Sequence, residues 1–267
     1  MNYSDEEIAG LLKNIGELCG GIVGKDNMFI DVTCNRNIYG EIKGTIEEIV
    51  SSFEVTDGSC KVKDDRSGID FECRVVRRAY TNSGTVNYVA AYGEYGDISE
   101  EMRGKMMVAS QIISNEHLYE NIRGKGGAYG CGFIANAYGN TAGFYSFRDP
   151  HVMETYDIYR RTVDFLENYQ TSDRELLKAV IGTIGILDTP ITPHTAGRYS
   201  LRYFLGGATD EMFAEHRRGI VSTTQEDIRS MAKYVKKILE ADNYCAVGSE
   251  KAIGKNRESF DSVESLL

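Results

Sequence analysis

The side chains best suited to chemistry lie between Tyr119 and Pro150, where Gly124, Gly126, Gly127, Gly130 and Gly132 fall within nine residues. Arg123, Lys125 and Tyr129 are interleaved with them. A flexible spacer is glycine and serine without large side chains, so this stretch is not a linker. Glycine lets something approach the backbone closely and allows positive φ, while arginine and tyrosine supply donors to whatever approaches. Three readings fit these residue types. One is a site that grips a ligand. Another is a helix C-cap at Gly124 with a tight strand entry and no ligand. The third, a nucleotide phosphate loop, is weak because Gly127 to Gly132 is followed by Phe133 and Ile134 in place of lysine and a hydroxyl residue.

Other reactive side chains are scattered. The histidines are His117, His151, His194 and His216, and His117-Leu-Tyr-Glu120-Asn121 stops one residue short of an inverted zinc motif. Asn121 stands where the second histidine belongs, and catalytic zinc takes three protein ligands. A solvated histidine and glutamate on a helix face is the better reading, and no metal ligand is assigned in this chain. There is no Gly-x-Ser-x-Gly elbow. A Cys131/His dyad stays open on residue types but carries no family signature.

The elements that must position these residues follow from periodicity. Ser4-x-x-Glu7 opens a helix with Ile8, Leu11, Leu12, Ile15 and Leu18 on one face, ended by Gly20-Gly21. Met28 to Cys34 reads as a strand and Gly40 to Phe53 as a helix. Phe71–Val76 and Val86–Tyr92 read as paired strands joined by a turn at Asn82-Ser83-Gly84. A long helix capped by Asp97 or Ser99 then delivers Arg123 at its end. Ala128–Ala137 and Thr141–Phe147 alternate as a hairpin, with Gly130 and Gly132 leaving one face bare for an extended peptide. Asp149-Pro150 starts a helix to about Asn168, and Ser172-x-x-Glu175 opens another. Helices over about 196–205, 209–220 and 224–239 precede a last strand at Tyr244–Val247. This order predicts an α+β fold, an antiparallel or mixed sheet covered on one face by helices.

Composition narrows the class. A formal charge of −10 argues against nucleic acid. Cys19, Cys34, Cys60, Cys73, Cys131 and Cys245 contain no Cys-x-x-Cys pair, which suits reduced thiols in a cytoplasmic protein. The first residues have no basic n-region followed by an apolar stretch, and no apolar run approaches a membrane span, so neither export nor membrane insertion is expected.

Ile122-Arg123-Gly124-Lys125-Gly126-Gly127-Ala128-Tyr129-Gly130, Phe144-Tyr145-Ser146-Phe147-Arg148-Asp149-Pro150, Thr155, Ile181-Gly182-Thr183-Ile184, Leu187-Asp188-Thr189-Pro190, Pro193 and Gly197 together resemble the carboxy-terminal half of the insulinase-like (pitrilysin-type) zinc metallopeptidases, presequence protease and falcilysin branch. The resemblance spans roughly residues 85 to 240. It implies that residues 1–55 end a preceding related domain, 56–68 form a linker and 69–267 form the carboxy-terminal peptidase-like domain. It also implies that zinc is bound by the amino-terminal catalytic half, a partner absent from this sequence. Tyr129 and Arg123 would then contact the scissile carbonyl or developing oxyanion of unstructured peptide substrates, with Gly126, Gly127, Ala128 and Arg148 as further peptide contacts. Ion pairing of Arg148 with a carboxylate is an equal alternative. On this reading the isolated chain is inactive. A non-catalytic scaffold or partner subunit of the same superfamily is the alternative.

Overall fold

The computed structural model describes residues 4–22, 28–53, 75–136 and 139–266. The chain divides into two compact units, Met1–Glu72 with Ile191–Leu205, and Cys73–Pro190 with Gly206–Leu267.

The first unit contains helices α1 (Asp5–Ile22), α2 (Arg36–Ser52) and α6 (Pro193–Leu205). The Ser4/Glu7 box forms as expected, with Ser4 N–H donating to the Glu7 carboxylate at 2.8 Å. Asn35 Oδ1 accepts from Ile38 N–H at 3.0 Å, and this cap starts α2 earlier than the apolar spacing suggested. Residues 28–34 form no strand. Among the described residues this unit holds only helices, so the segment has no strand to pair with. It packs irregularly on α6 instead, with Phe29 edge-on to Phe204 at 5.9 Å and Thr33 so close to Gly197 that a methyl group there would collide with it. Ile8, Leu11, Leu12, Ile15 and Leu18, the apolar stripe of α1, remain exposed. Residues 56–68, read as a linker, lie outside the described residues. Residues 191–205, read as part of the later domain, group with the first unit.

The second unit is a six-stranded mixed sheet with helices. Its strands are β1 (Arg77–Asn82), β2 (Asn87–Glu94), β3 (Gly130–Ala135), β4 (Thr141–Asp149), β5 (Tyr244–Ser249) and β6 (Ser262–Ser265), in the order β3-β4-β2-β5-β1-β6. The first strand begins at Arg77, and of the residues read as strand before it, 71–74 lie outside the described residues. β1 and β2 are also not a pair, because β5 lies between them, parallel to β1 and antiparallel to β2. A local turn cannot show that a strand from the far end of the chain will be inserted. The short helix α10 (Glu250–Lys255) and strand β6 extend the unit beyond the last expected strand.

Helix α3 (Glu100–Ile112) is capped by Ser99 and runs directly into a π-helical segment, Ile113–Lys125. Further helices are α4 (Met153–Glu167), α5 (Asp173–Leu187), α7 (Asp210–Val221), α8 (Gln225–Ser230) and α9 (Ala232–Glu240). A break at Met231 divides α8 from α9 where one helix was expected. Helix α4 starts at Met153, not at Pro150, and its N-cap Val152 offers no side-chain acceptor. Asp149 belongs to β4.

Val89, Ala91, Ala246 and Phe144 turn one sheet face into the core. There Tyr159 is fully buried, stacks on Phe144 at 4.8 Å and donates its hydroxyl to Val89 O at 3.1 Å. Tyr156 reaches Cys245 O at 2.8 Å. Buried phenols need such partners, and these tie α4 to the sheet backbone. Helices α3 and α7 meet backbone to backbone, because a methyl group on Gly104 would strike His216 O and one on Gly219 would strike Glu101 O. Gly219→Ala should therefore lower the melting temperature, by about 1–3 kcal/mol of stability. Gly182→Ala, on α5 with nothing near the added methyl, should raise stability by roughly 0.5–1 kcal/mol. Circular dichroism melts of the two variants check the contrast.

Candidate functional site

The π-helical segment carries Arg123 in its last turn. π-Helices are rare and concentrate at functional positions. The backbone then folds back on itself: Gly126 N–H and Gly127 N–H donate to Arg123 O, and Ala128 N–H donates to Ile122 O at 3.1 Å. A methyl on Gly126 would come within 2.5 Å of Ile122 O, and Gly127 has φ 77, which is why both are glycine. This wrap corrects part of the expected peptide site. The amides of Gly126, Gly127 and Ala128 are occupied inside the chain, and the Ala128 side chain is buried in the core. Their N–H groups are therefore not free to cradle a peptide or a phosphate.

The chain emerges from the wrap at Tyr129, which is 60% exposed. Its ring centre lies 5.9 Å from the Arg123 guanidinium carbon and 5.4 Å from that of Arg148, with Phe147 edge-on at 5.6 Å. Arg123 also lies over Tyr119 at 5.3 Å. Arg123 and Arg148 are both exposed, and among the described residues neither pairs with a carboxylate. Contact with a ring face steadies a guanidinium while its N–H groups stay available. The result is one phenol and two planar cations presented together to solvent.

Arg148 reaches this position through a bulge. Asn87 and Tyr88 on β2 oppose Asp149 and Phe147 on β4, leaving Arg148 as an extra residue with φ 48. Bulges re-aim side chains, and this one turns Arg148 toward Tyr129, whose N–H donates to Arg148 O at 3.3 Å. The β3–β4 hairpin has the expected pairing, but its glycine face is not bare. Phe147 opposes Gly130 and Tyr145 opposes Gly132, and each ring occupies the space a methyl would need. Tyr92 covers Gly143 in the same way. A peptide approaching this face meets aromatic rings. The outer border of β3 is also engaged at Phe133, whose N–H donates to Ser114 Oγ at 2.9 Å and whose carbonyl accepts from Ser110 Oγ at 2.7 Å. Sequence reasoning missed Tyr119, Tyr145 and Phe147. The available signal was aromatic residues facing glycines across a hairpin.

The remaining candidates are structural. His117 is buried, not solvated. Its Nε2–H donates to Ile158 O at 3.1 Å and its ring stacks on Phe165 at 4.9 Å. Glu120 pairs with Lys125, and Asn121 donates to His117 O. These groups do not fit a zinc site, and the described residues contain no cluster of three metal-ligating side chains. Burial pushes the Cys131 thiol up to about 11, which keeps it protonated and poorly nucleophilic. Depressions of about 210 and 250 Å³ lie between α3 and α5, away from Tyr129. Among the described residues no helix is long and apolar enough to cross a membrane.

Residues 78–250 match the family model described as the PreP C-terminal domain. The chain belongs to that family. The PreP C-terminal domain match contains Arg123, Tyr129 and Arg148. Among curated proteins, the chain is 27% identical to Protein HypA of Clostridium perfringens over 97% of its own length and 26% of that protein. It is 29% identical to Presequence protease 1, chloroplastic/mitochondrial, of Arabidopsis thaliana, over 98% of its own length and 24% of that protein. The chain thus spans about a quarter of these relatives. Among solved structures, a peptidase M16 inactive domain from Pseudomonas fluorescens aligns with TM-score 0.53 at 14% identity, covering 78% of this chain and 51% of that one. A protease from Helicobacter pylori aligns with TM-score 0.54 at 10% identity, covering 81% and 53%. At such identities these two show the fold alone, an α+β domain of a sheet with helices.

Burial holds the pKa of His117 below its ordinary value. The unfolded chain therefore takes up the His117 proton first as pH falls. The stability linked to this residue should be complete above pH 6.5, the ordinary histidine value, and lost progressively as pH falls through the depressed folded value. His117→Gln should flatten that part of the stability–pH curve below pH 6.5, as read by urea unfolding.

Proposed function

We propose that this chain forms a wall of the substrate chamber of a zinc-dependent endopeptidase for unstructured peptides, opposite an amino-terminal half that carries the metal. The observation that carries this reading is the exposed Tyr129 ring with the Arg123 and Arg148 guanidinium groups on it and no carboxylate neutralising either among the described residues. Tyr129 donates its O–H to a carbonyl oxygen of the bound peptide. Arg123 and Arg148 supply further N–H donors to neighbouring carbonyls or to negative charge developing there. Donors fixed before the peptide arrives stabilise such charge without having to reorganise. The aromatic face formed by Tyr145, Phe147 and Tyr92 offers apolar contact beside them.

The other half contributes the hydrolytic metal and its water, since among the described residues of this chain no cluster of ligating side chains fits one. A pure scaffold role would leave two unneutralised cations beside an exposed phenol without a purpose, so we favour the peptidase reading. The exposed apolar stripe of α1 is consistent with residues 1–55 ending a preceding domain, whose sheet would cover it.

In the polypeptide joining this chain to the metal-bearing half, Tyr129→Phe should lower kcat by about 10²–10³ and leave zinc content unchanged. Loss of zinc together with activity would place Tyr129 at the metal and overturn the assignment. The chain alone, incubated with zinc and an unstructured peptide, should cleave nothing. Chelator-sensitive cleavage by the isolated chain would refute the division of labour.

A further inference from the structure

Asp149 follows Arg148 and has no solvent exposure. Its carboxylate accepts from Ser146 Oγ at 2.7 Å, Thr155 Oγ1 at 2.8 Å and His151 N–H at 2.8 Å. Among the described residues no cation pairs with it. A buried carboxylate without a counter-ion is tolerated only when donors saturate its oxygens, so these three bonds hold Asp149 in one place. The backbone is held from the other side as well. Asn87, 1% exposed, donates Nδ2–H to Asp149 O at 2.8 Å and accepts from Ser249 N–H at 3.2 Å.

Arg148 is the surplus residue beside this fixed point. Its φ of 48 suits glycine or asparagine and is uncommon for a long side chain. Strained backbone of this kind persists only where the surroundings enforce it, and it gathers at binding and catalytic sites. A turn that only had to join β4 to α4 would be less strained with glycine at 148. Here an arginine occupies the strained position, and its guanidinium lies 5.4 Å from the Tyr129 ring centre.

We propose that Asp149 is a positioning residue: its buried hydrogen bonds pin the β4 bulge that turns Arg148 out of the strand and lays its guanidinium on Tyr129. Asp149 itself touches no peptide. This role rests on the reading that Arg148 contacts the substrate.

The test is a double-mutant cycle in the polypeptide that carries both halves, with kcat, KM and zinc content measured on an internally quenched unstructured peptide. Arg148→Gly removes the guanidinium and suits the φ of the bulge, so the variant should fold at least as well as the parent. Asp149→Asn and Arg148→Gly should each lower kcat by about ten- to a hundredfold with zinc unchanged. The double variant should be no slower than Arg148→Gly alone, because Asp149 acts only through Arg148. Losses that multiply, or a loss with Arg148→Gly but none with Asp149→Asn, would overturn the positioning role and leave the peptide-contact reading standing. An unimpaired Arg148→Gly variant would instead remove that reading, and this proposal with it. If Asp149→Asn does not fold, Thr155→Val, which withdraws one of the three donors, takes its place in the cycle with the same outcomes.

Discussion

An aromatic ring can lie flat on a sheet only where the neighbouring strand offers no side chain, and the edge hairpin of this protein is built on that constraint. Phe147 over Gly130, Tyr145 over Gly132 and Tyr92 over Gly143 form three such pairs across β2, β3 and β4. Strand register is sensitive to a slip of a single residue, which moves every side chain to the opposite face. A slip here would drive a ring into a neighbour's β-carbon. The pairs therefore hold the hairpin in one register, and that register sets Tyr129 at the entry of β3 and the bulge at the end of β4. The loop between the strands is held separately. Arg103 and the Tyr95 hydroxyl both donate to Gly139 O, at 2.5 and 2.8 Å.

Within this frame the cations behave unusually for an acidic chain. With a net charge of −10, carboxylates are plentiful, and several of the ion pairs among the described residues are exposed ones between near neighbours on a helix, each worth little. Arg123 and Arg148 are instead placed on an aromatic ring. That placement fixes their orientation without neutralising them, which is what a surface needs if it is to meet carbonyl oxygens.

The elements most legible in the sequence were those with local chemistry. The caps at Ser4 and Ser172 formed where their spacing indicated, and Ser99 is the cap of the two candidates before α3, because a cap involves residues only three apart. The β3–β4 hairpin and the Arg123/Tyr129 motif were readable for the same reason. Long-range decisions were not. Nothing near Asn82 shows that β5 will separate β1 from β2, and nothing in 28–34 shows that its apolar residues will meet α6 in place of a strand. Asp149-Pro150 has the form of a helix start, yet the carboxylate was drawn into a buried cradle whose donors include Ser146, three residues before it. Gly130 and Gly132 stand out in the sequence, but the rings that cover them come from the partner strand.

Ser110 and Ser114 have a further consequence. A border strand with free amides invites other chains to add themselves, which is the first step toward fibrous aggregates. By occupying both polar groups of Phe133, the two serines interrupt that template in the middle of β3. An edge finished in this way leaves its side chains exposed while withholding the backbone groups of Phe133 from a neighbouring sheet.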